Sequence, residues 1–372
     1  MADALYLHVP FCETICYYCD FKRSLYQEKV VNDWLDALEH ELDEKDINKS
    51  LKTIYIGGGT PTSLNMDQLE RLLTRLEPYT EELEEFTIES NLESIDAEKL
   101  ALLKRYKVNR ISLGVQSFDD DLLVYMNRSH TVKDIKPTIE LVANYINNIS
   151  IDLMYGLFSQ TYEVWEKTLT KVVEIEAVTH VSVYSLTIEE NSVFYKQGVK
   201  QIENESEAKM YQMAIDYLTS HGFVQYEVAN FAKPEFSSKH NQYYWRYDDF
   251  YGIGVGASGK ENHKRYTNNF SIQAYIEGSG KPEIEELTNK DEMFEFIMMN
   301  VRLREGLSLK RFESLFHYSF EDLFTTLITK LIKKQAAVCG PTHFIITETG
   351  MMYLHDILVS FWEVLDERED IA

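Results

Sequence analysis

Short, β-branched apolar runs alternate with amphipathic stretches through the first half of the chain. The runs are ALYLHV, TIYIGGG, EFTIESN, VNRISLGV, NISIDLMYG and HVSVYSL. Between them lie segments such as VNDWLDALEHEL, MDQLERLLTRL and DAEKLALLKRYK. Strands alternating with helices predict βαβ units and a parallel sheet. Six such units by about residue 186 predict an α/β fold, a partial (β/α)6 barrel short of a closed eightfold one. The strand C-termini then share one mouth, where the sites of such sheets gather.

After residue 187 the pattern changes. A helix, SEAKMYQMAIDYLTSHG, leads to a strand, VQYEVANF, and then to a loop rich in aromatics and glycine. From about residue 288 helices dominate, followed by a short hairpin and a last helix. That order predicts a smaller, mostly helical, winged-helix-like C-terminal domain. The expected division is 1–230 for the barrel, 231–287 for an extension and 288–372 for the C-terminal domain.

At 372 residues, one large domain plus a smaller one is the natural expectation. The formal charge of −24 argues against general nucleic-acid binding, which needs a basic face. The segment MADALYLHVPF lacks the basic and apolar regions of a signal peptide. No apolar run approaches the ~20 residues of a membrane span. With thiols that suit a reducing compartment, a cytoplasmic protein is expected.

Three of the four cysteines, Cys12, Cys16 and Cys19, stand in FCETICYYCDF. Three thiolates on one short loop can hold three irons of a [4Fe–4S] cluster and leave the fourth without a protein ligand. Structural zinc would need a fourth ligand. Cys339 is the remaining thiol and lies in a distant C-terminal element, so zinc would require a remote histidine. A disulfide reading leaves an odd cysteine in the loop.

Gly57, Gly58, Gly59 and Thr60 close the second run, either as a tight turn or as a place where backbone meets a ligand. Glu89, Gln116 and Asp152 stand near strand ends in otherwise apolar runs. A buried carboxylate is costly unless partnered, so these face a ligand or take part in internal salt bridges with residues such as Arg128. Glu189 reads equally as a solvated loop residue. In HNQYYW, His240 sits beside aromatics on an expected polar loop, either as an unremarkable histidine or as a haem ligand. Lys239, Arg246, Lys260, Lys264 and Arg265 surround it as a basic patch or as partners for porphyrin propionates.

Taken in order, YLHVPFC, YYCDF, YIGGGTPT, TIESN, RISLGVQSF, DLMYGL, HVSVYSLTIE, KHNQYYW, RLREGL and TETG resemble the oxygen-independent coproporphyrinogen III oxidase family of radical S-adenosylmethionine (SAM) proteins. The resemblance is closest to the family's haem chaperone branch and spans Tyr6 to about Gly350. It implies a cluster on Cys12, Cys16 and Cys19 with SAM on the open iron. It also implies SAM contacts from Tyr6, Tyr18, Gly58, Gly59, Thr60, Glu89, Gln116, Arg128, Asp152 and Thr187. The chaperone branch further implies haem binding, with His240 as a contact, and transfer of haem to apo-haem respiratory proteins.

The oxidases carry an N-terminal extension before the first strand and a further cysteine beyond the cluster, where this chain has Asp20 and Phe21. The chain departs from the family at Phe158, where proline is usual, and at Asn127, where glycine is usual. The alternative function is oxidative decarboxylation of coproporphyrinogen III. A radical SAM methyltransferase would need additional reactive cysteines, and only Cys339 remains. The catalytic residues, and whether SAM is cleaved in function, are left open. Membrane association through a protein partner and a second subunit over the cysteine loop complete the expectations.

Overall fold

The computed structural model describes residues 1–371. Its central sheet carries six parallel strands in chain order: β1 Ala4–Val9, β2 Thr53–Gly58, β3 Glu85–Ser90, β4 Arg110–Gln116, β5 Asn148–Tyr155 and β6 His180–Ser185. Period-two alternation sorts their side chains. Leu5, Leu7, Ile54, Ile56, Phe86 and Ile88 join one buried core with Trp34, Leu38, Leu69 and Leu72 of the helices Glu28–Glu44 and Met66–Leu76. The alternate set, including Tyr6, Tyr55, Glu89, Ser112, Asp152 and His180, is polar. These groups bond across strands, as in Tyr55–Glu89, Ser112–Asp152 and Ser150–His180. A helix-covered outer face and a polar inner face make the sheet a curved wall around a site.

The sheet remains open, with twelve strands and edges at Glu283–Glu286 and Val224–Gln225. Beyond β6 it continues through Asn230–Ala232, antiparallel. On the other side, Phe250–Ile253 pairs parallel with β1 and leads into three antiparallel strands. Segment 231–287 is therefore woven into the barrel sheet, whereas the sequence set it apart as an extension.

HNQYYW was expected on a polar loop; it forms the helix Lys239–Trp245 instead. Glu85, the first residue of β3, accepts from Ser238 Oγ at 3.0 Å, Lys239 N at 2.7 Å and His240 N at 3.1 Å. A carboxylate on the free amides of a helix N-terminus is a favourable pairing. Because Glu85 lies at the N-terminal end of its strand, this helix floors the barrel opposite the cysteine mouth.

The C-terminal region has its own core, in which Phe296, Phe312, Phe320, Phe324, Phe344 and Phe361 meet largely edge to face or tilted. Helices Asn289–Asn300, Leu309–Phe316, Thr325–Lys333 and Leu354–Asp366 surround a three-stranded antiparallel sheet. Among the described residues, no helix is long and apolar enough to cross a membrane.

Candidate functional site

The cysteine loop leaves the C-terminal end of β1. Phe11–Cys12 pairs with Ser24–Leu25, which closes the loop on itself. Tyr17 N donates to Met126 O at 3.1 Å and Asn127 Nδ2 to Ile15 O at 2.8 Å, anchoring its far side. Asn127 has a φ of +59°, which asparagine tolerates better than most residues. The departure from glycine thus keeps the backbone and adds a hydrogen bond.

The glycine turn after β2 lies directly against this loop. Gly59 N donates to Val9 O at 2.8 Å and Thr60 N to Phe11 O at 2.7 Å. A Cβ on Gly59 would fall 2.6 Å from Phe11 O and 2.9 Å from Cys12 Sγ. Only glycine allows that approach. Across the mouth, a register shift between Gly114 and Gln116 ends β4, and Gln116 takes a φ of +67°. Such irregularities re-aim side chains at functional sites.

A cavity of about 390 Å³ occupies this mouth. Twelve of the expected site residues line it: Cys12, Tyr18, Cys16, Cys19, Gly58, Gly59, Thr60, Glu89, Gln116, Arg128, Asp152 and Thr187. Tyr6 lies outside that lining, with its hydroxyl 2.9 Å from His8 Nδ1. Glu189, left open by the sequence, faces the cavity, as do Asn91, Phe21, Arg23 and Tyr184. Asn91 stands in the same TIESN run as Glu89; its hydrogen bonds, to Arg128 and Thr60, are visible only in three dimensions.

The electrostatics suit a charged cofactor. Burial pushes the Cys12 thiol up to about 12 and the Cys19 thiol up to about 11, so neither ionises near neutral pH without a cation beside it. Among the described residues, no three His, Cys, Asp or Glu donors converge on a single-ion site. Three thiols spread around a cavity match a multi-iron cluster better than one tetrahedral zinc. Glu89 accepts from Tyr55 Oη at 2.7 Å and Gly58 N at 3.0 Å. Burial, then repulsion from Asp152, outweighs these bonds and pushes its carboxyl up to about 7. Arg128 stays charged against its burial, through the Tyr18 and Cys16 groups beside it.

His240 is placed elsewhere, outside the cavity lining and in the floor of the barrel. Its ring is fully buried in the floor, with Nδ1 2.9 Å from Thr53 Oγ1 and Nε2 2.7 Å from Tyr244 Oη. Neither nitrogen is free. The surrounding basic residues are also committed: Lys239 to Glu84, Arg246 to Glu305, Lys260 to Asp249, Lys264 to Glu286, and Arg265 to Glu285 and Glu295. They form ion pairs and do not gather as a propionate cradle.

An open parallel barrel with three cysteines against a glycine turn at its mouth defines a radical SAM-type protein. Residues 6–172 match the model of the Radical SAM superfamily and residues 287–353 that of the HemN C-terminal domain. The chain belongs to the family of the heme chaperone HemW. It is 36% identical to the heme chaperone HemW of Bacillus subtilis (strain 168), over 96% of this chain and 98% of that protein. Identity to the heme chaperone HemW of Escherichia coli (strain K12) is 30%, over 96% of this chain and 97% of the relative. The solved coproporphyrinogen III oxidase HemN from Escherichia coli superposes with a TM-score of 0.82, over 97% of this chain and 90% of its own, at 23% identity. That likeness bears on the fold.

Proposed function

We propose that the chain holds a [4Fe–4S] cluster on Cys12, Cys16 and Cys19, binds SAM beside it, and carries haem to apo-haem respiratory proteins. The observation that carries the cofactor reading is the single cavity lined by all three thiols, Gly58, Gly59, Thr60, Glu89, Gln116, Arg128 and Asp152. The haem part rests on kinship with heme chaperones along nearly the whole chain.

When bound, such a cluster supplies an electron for cleavage of SAM. This chain's residues prepare the place. Gly58 and Gly59 let backbone approach a ligand, and Glu89 offers an acceptor to an ammonium group. Asp152, held by Ser112 at 3.2 Å, adds a second carboxylate on the same wall. The β4 irregularity turns Gln116 toward the ligand, and Tyr18 and Thr187 line the approach. Tyr6 acts from deeper in the barrel, through His8. A direct haem contact at His240 would require the floor helix to leave Glu85. The four free cysteines suit a reducing cytoplasm, and a membrane-bound recipient would be met through protein contacts. The cysteine loop also offers a face that a second copy could cover.

The test is a titration of anaerobically reconstituted protein with haem, followed by the Soret band, for the wild type and His240→Ala. Saturable wild-type binding is the expected result. Equal binding by a folded His240→Ala protein would move the haem site away from the floor. No wild-type binding, together with decarboxylation of coproporphyrinogen III, would replace the chaperone by the oxidase.

A further inference from the structure

Arg128 spends its guanidinium in an unexpected direction. The family resemblance assigns it to SAM, yet Nη1 donates to Cys16 Sγ at 3.2 Å. Nη2 donates to Asn91 Oδ1 at 2.8 Å and to Gly114 O at 2.7 Å. Three of its five N–H donors are thus used, and Nε is buried without a partner. The side chain is only 9% exposed, so little solvent screens its charge.

Asn91 holds this arrangement from the other side. It belongs to the turn after β3, and its Nδ2 donates to Thr60 Oγ1 at 3.1 Å while its Oδ1 receives Arg128. One amide therefore ties the glycine turn to the guanidinium. The space around it is full: a Cβ on Gly114 would come within 3.1 Å of Asn91 Oδ1 and 3.3 Å of Arg128 Nη2. The guanidinium plane is thus clamped by two acceptors and aimed at one sulfur.

We propose that Asn91 is a positioning residue that holds the Arg128 guanidinium against Cys16 and thereby raises the reduction potential of the cluster. The inference rests on the cluster reading above. Reduction adds one electron, and a fixed positive charge hydrogen-bonded to a ligand sulfur favours the more negative state. Hydrogen bonds to the sulfurs are among the levers by which a protein sets such potentials. The flexible point charge of lysine has no fork with which to reach the sulfur and both acceptors at once.

The experiment is an anaerobic redox titration of the reconstituted full chain, followed by EPR, with iron content and SAM affinity measured alongside. The variants are Asn91→Ala, Arg128→Met, the double variant and Arg128→Lys. Asn91→Ala keeps every thiol and the guanidinium, and it should lower the midpoint potential at wild-type iron content. Arg128→Met should lower it further, and Arg128→Lys should fall between wild type and Arg128→Met. The double variant should match Arg128→Met alone, because Asn91 acts through the arginine. An unchanged potential in Asn91→Ala would overturn the proposal, even if SAM affinity fell. So would additive shifts in the double variant, or loss of the cluster from a folded Asn91→Ala protein. Wild-type protein without a four-iron cluster would instead sink the cofactor reading itself.

Discussion

At 0% exposure the His240 imidazole is kept neutral: burial, with Arg110 nearby, drives its pKa down to about 3. Around it stand Thr53 and Tyr55 from β2, Tyr244 from its own helix, Glu85 beneath its amide and Arg110 of β4. An unfolded histidine titrates near ~6.5. Between that value and about 3 the unfolded chain binds a proton that the folded chain refuses, so stability falls as pH falls through this window. The slope is at most about 1.4 kcal/mol per pH unit for one group. His8 and His180 are shifted the same way and add to it. Urea midpoints from pH 7 to 5 should drop for the wild type and drop less steeply for His240→Gln, although His240→Gln is the less stable protein at pH 7. At the mouth, Cys12→Ala should abolish reconstituted iron binding. Cys339→Ala, on a strand of the C-terminal sheet near Glu321, should leave iron content unchanged. The cysteine spacing was legible because all three thiols share one loop. The placement of His240 was not, because a sequence shows neighbours along the chain and not the wall a ring is pressed against.

The barrel strands were legible for a similar reason: each is a local run whose period matches its structure, and the helices between them carry the complementary face. The floor helix Lys239–Trp245 has seven residues, too few to display a period, and its mix of polar and aromatic side chains reads as a loop. What makes it a helix is tertiary. Glu85, 154 positions before Lys239, receives its first free amides. Removing that carboxylate leaves Lys239 N, His240 N and Ser238 Oγ without their acceptor in a buried setting. The predicted cost for Glu85→Ala is about 2–4 kcal/mol, from several unmet donors at roughly 1–3 kcal/mol each with partial relaxation. Denaturant titration should show it. Hydrogen exchange should accelerate at residues 239–245 before it does in β1 to β4. Uniform acceleration would mean that the floor opens only with the whole barrel.

Two cores set the behaviour of the whole molecule, one in the barrel and one in the C-terminal unit. Tyr247 follows the floor helix in sequence, yet it is 8% exposed and packs in the C-terminal core edge-on to Phe296 at 6.2 Å. Its hydroxyl donates to Glu295 at 2.8 Å, and Lys260 stands 4.1 Å over its ring. Charged and polar pairs also cross the joint, with Arg311 on Asp248, Arg246 on Glu305, His263 beside Glu292 and Arg304 on Gln225, beside a backbone bridge between Glu227 and Leu303. Half-exposed pairs of this kind contribute little each and weaken in salt. Tyr247→Ala keeps the left-handed backbone at this position, with its φ of +62°, and removes the ring. A loss on the order of 3 kcal/mol is expected, as for other buried aromatics. It should fall on the C-terminal unit, because the ring packs in that core. Calorimetry should then resolve a C-terminal transition below that of the barrel, and 1 M salt should widen the gap. The cavity-lining residues belong to the other unit, so iron loading should stay at the wild-type level. A single transition shifted as a whole would show that the polar joint, despite its exposure, couples the two cores. In that case any movement of the C-terminal unit would be felt at the floor helix, because Arg246 at its C-terminal end pairs with Glu305 across the same boundary.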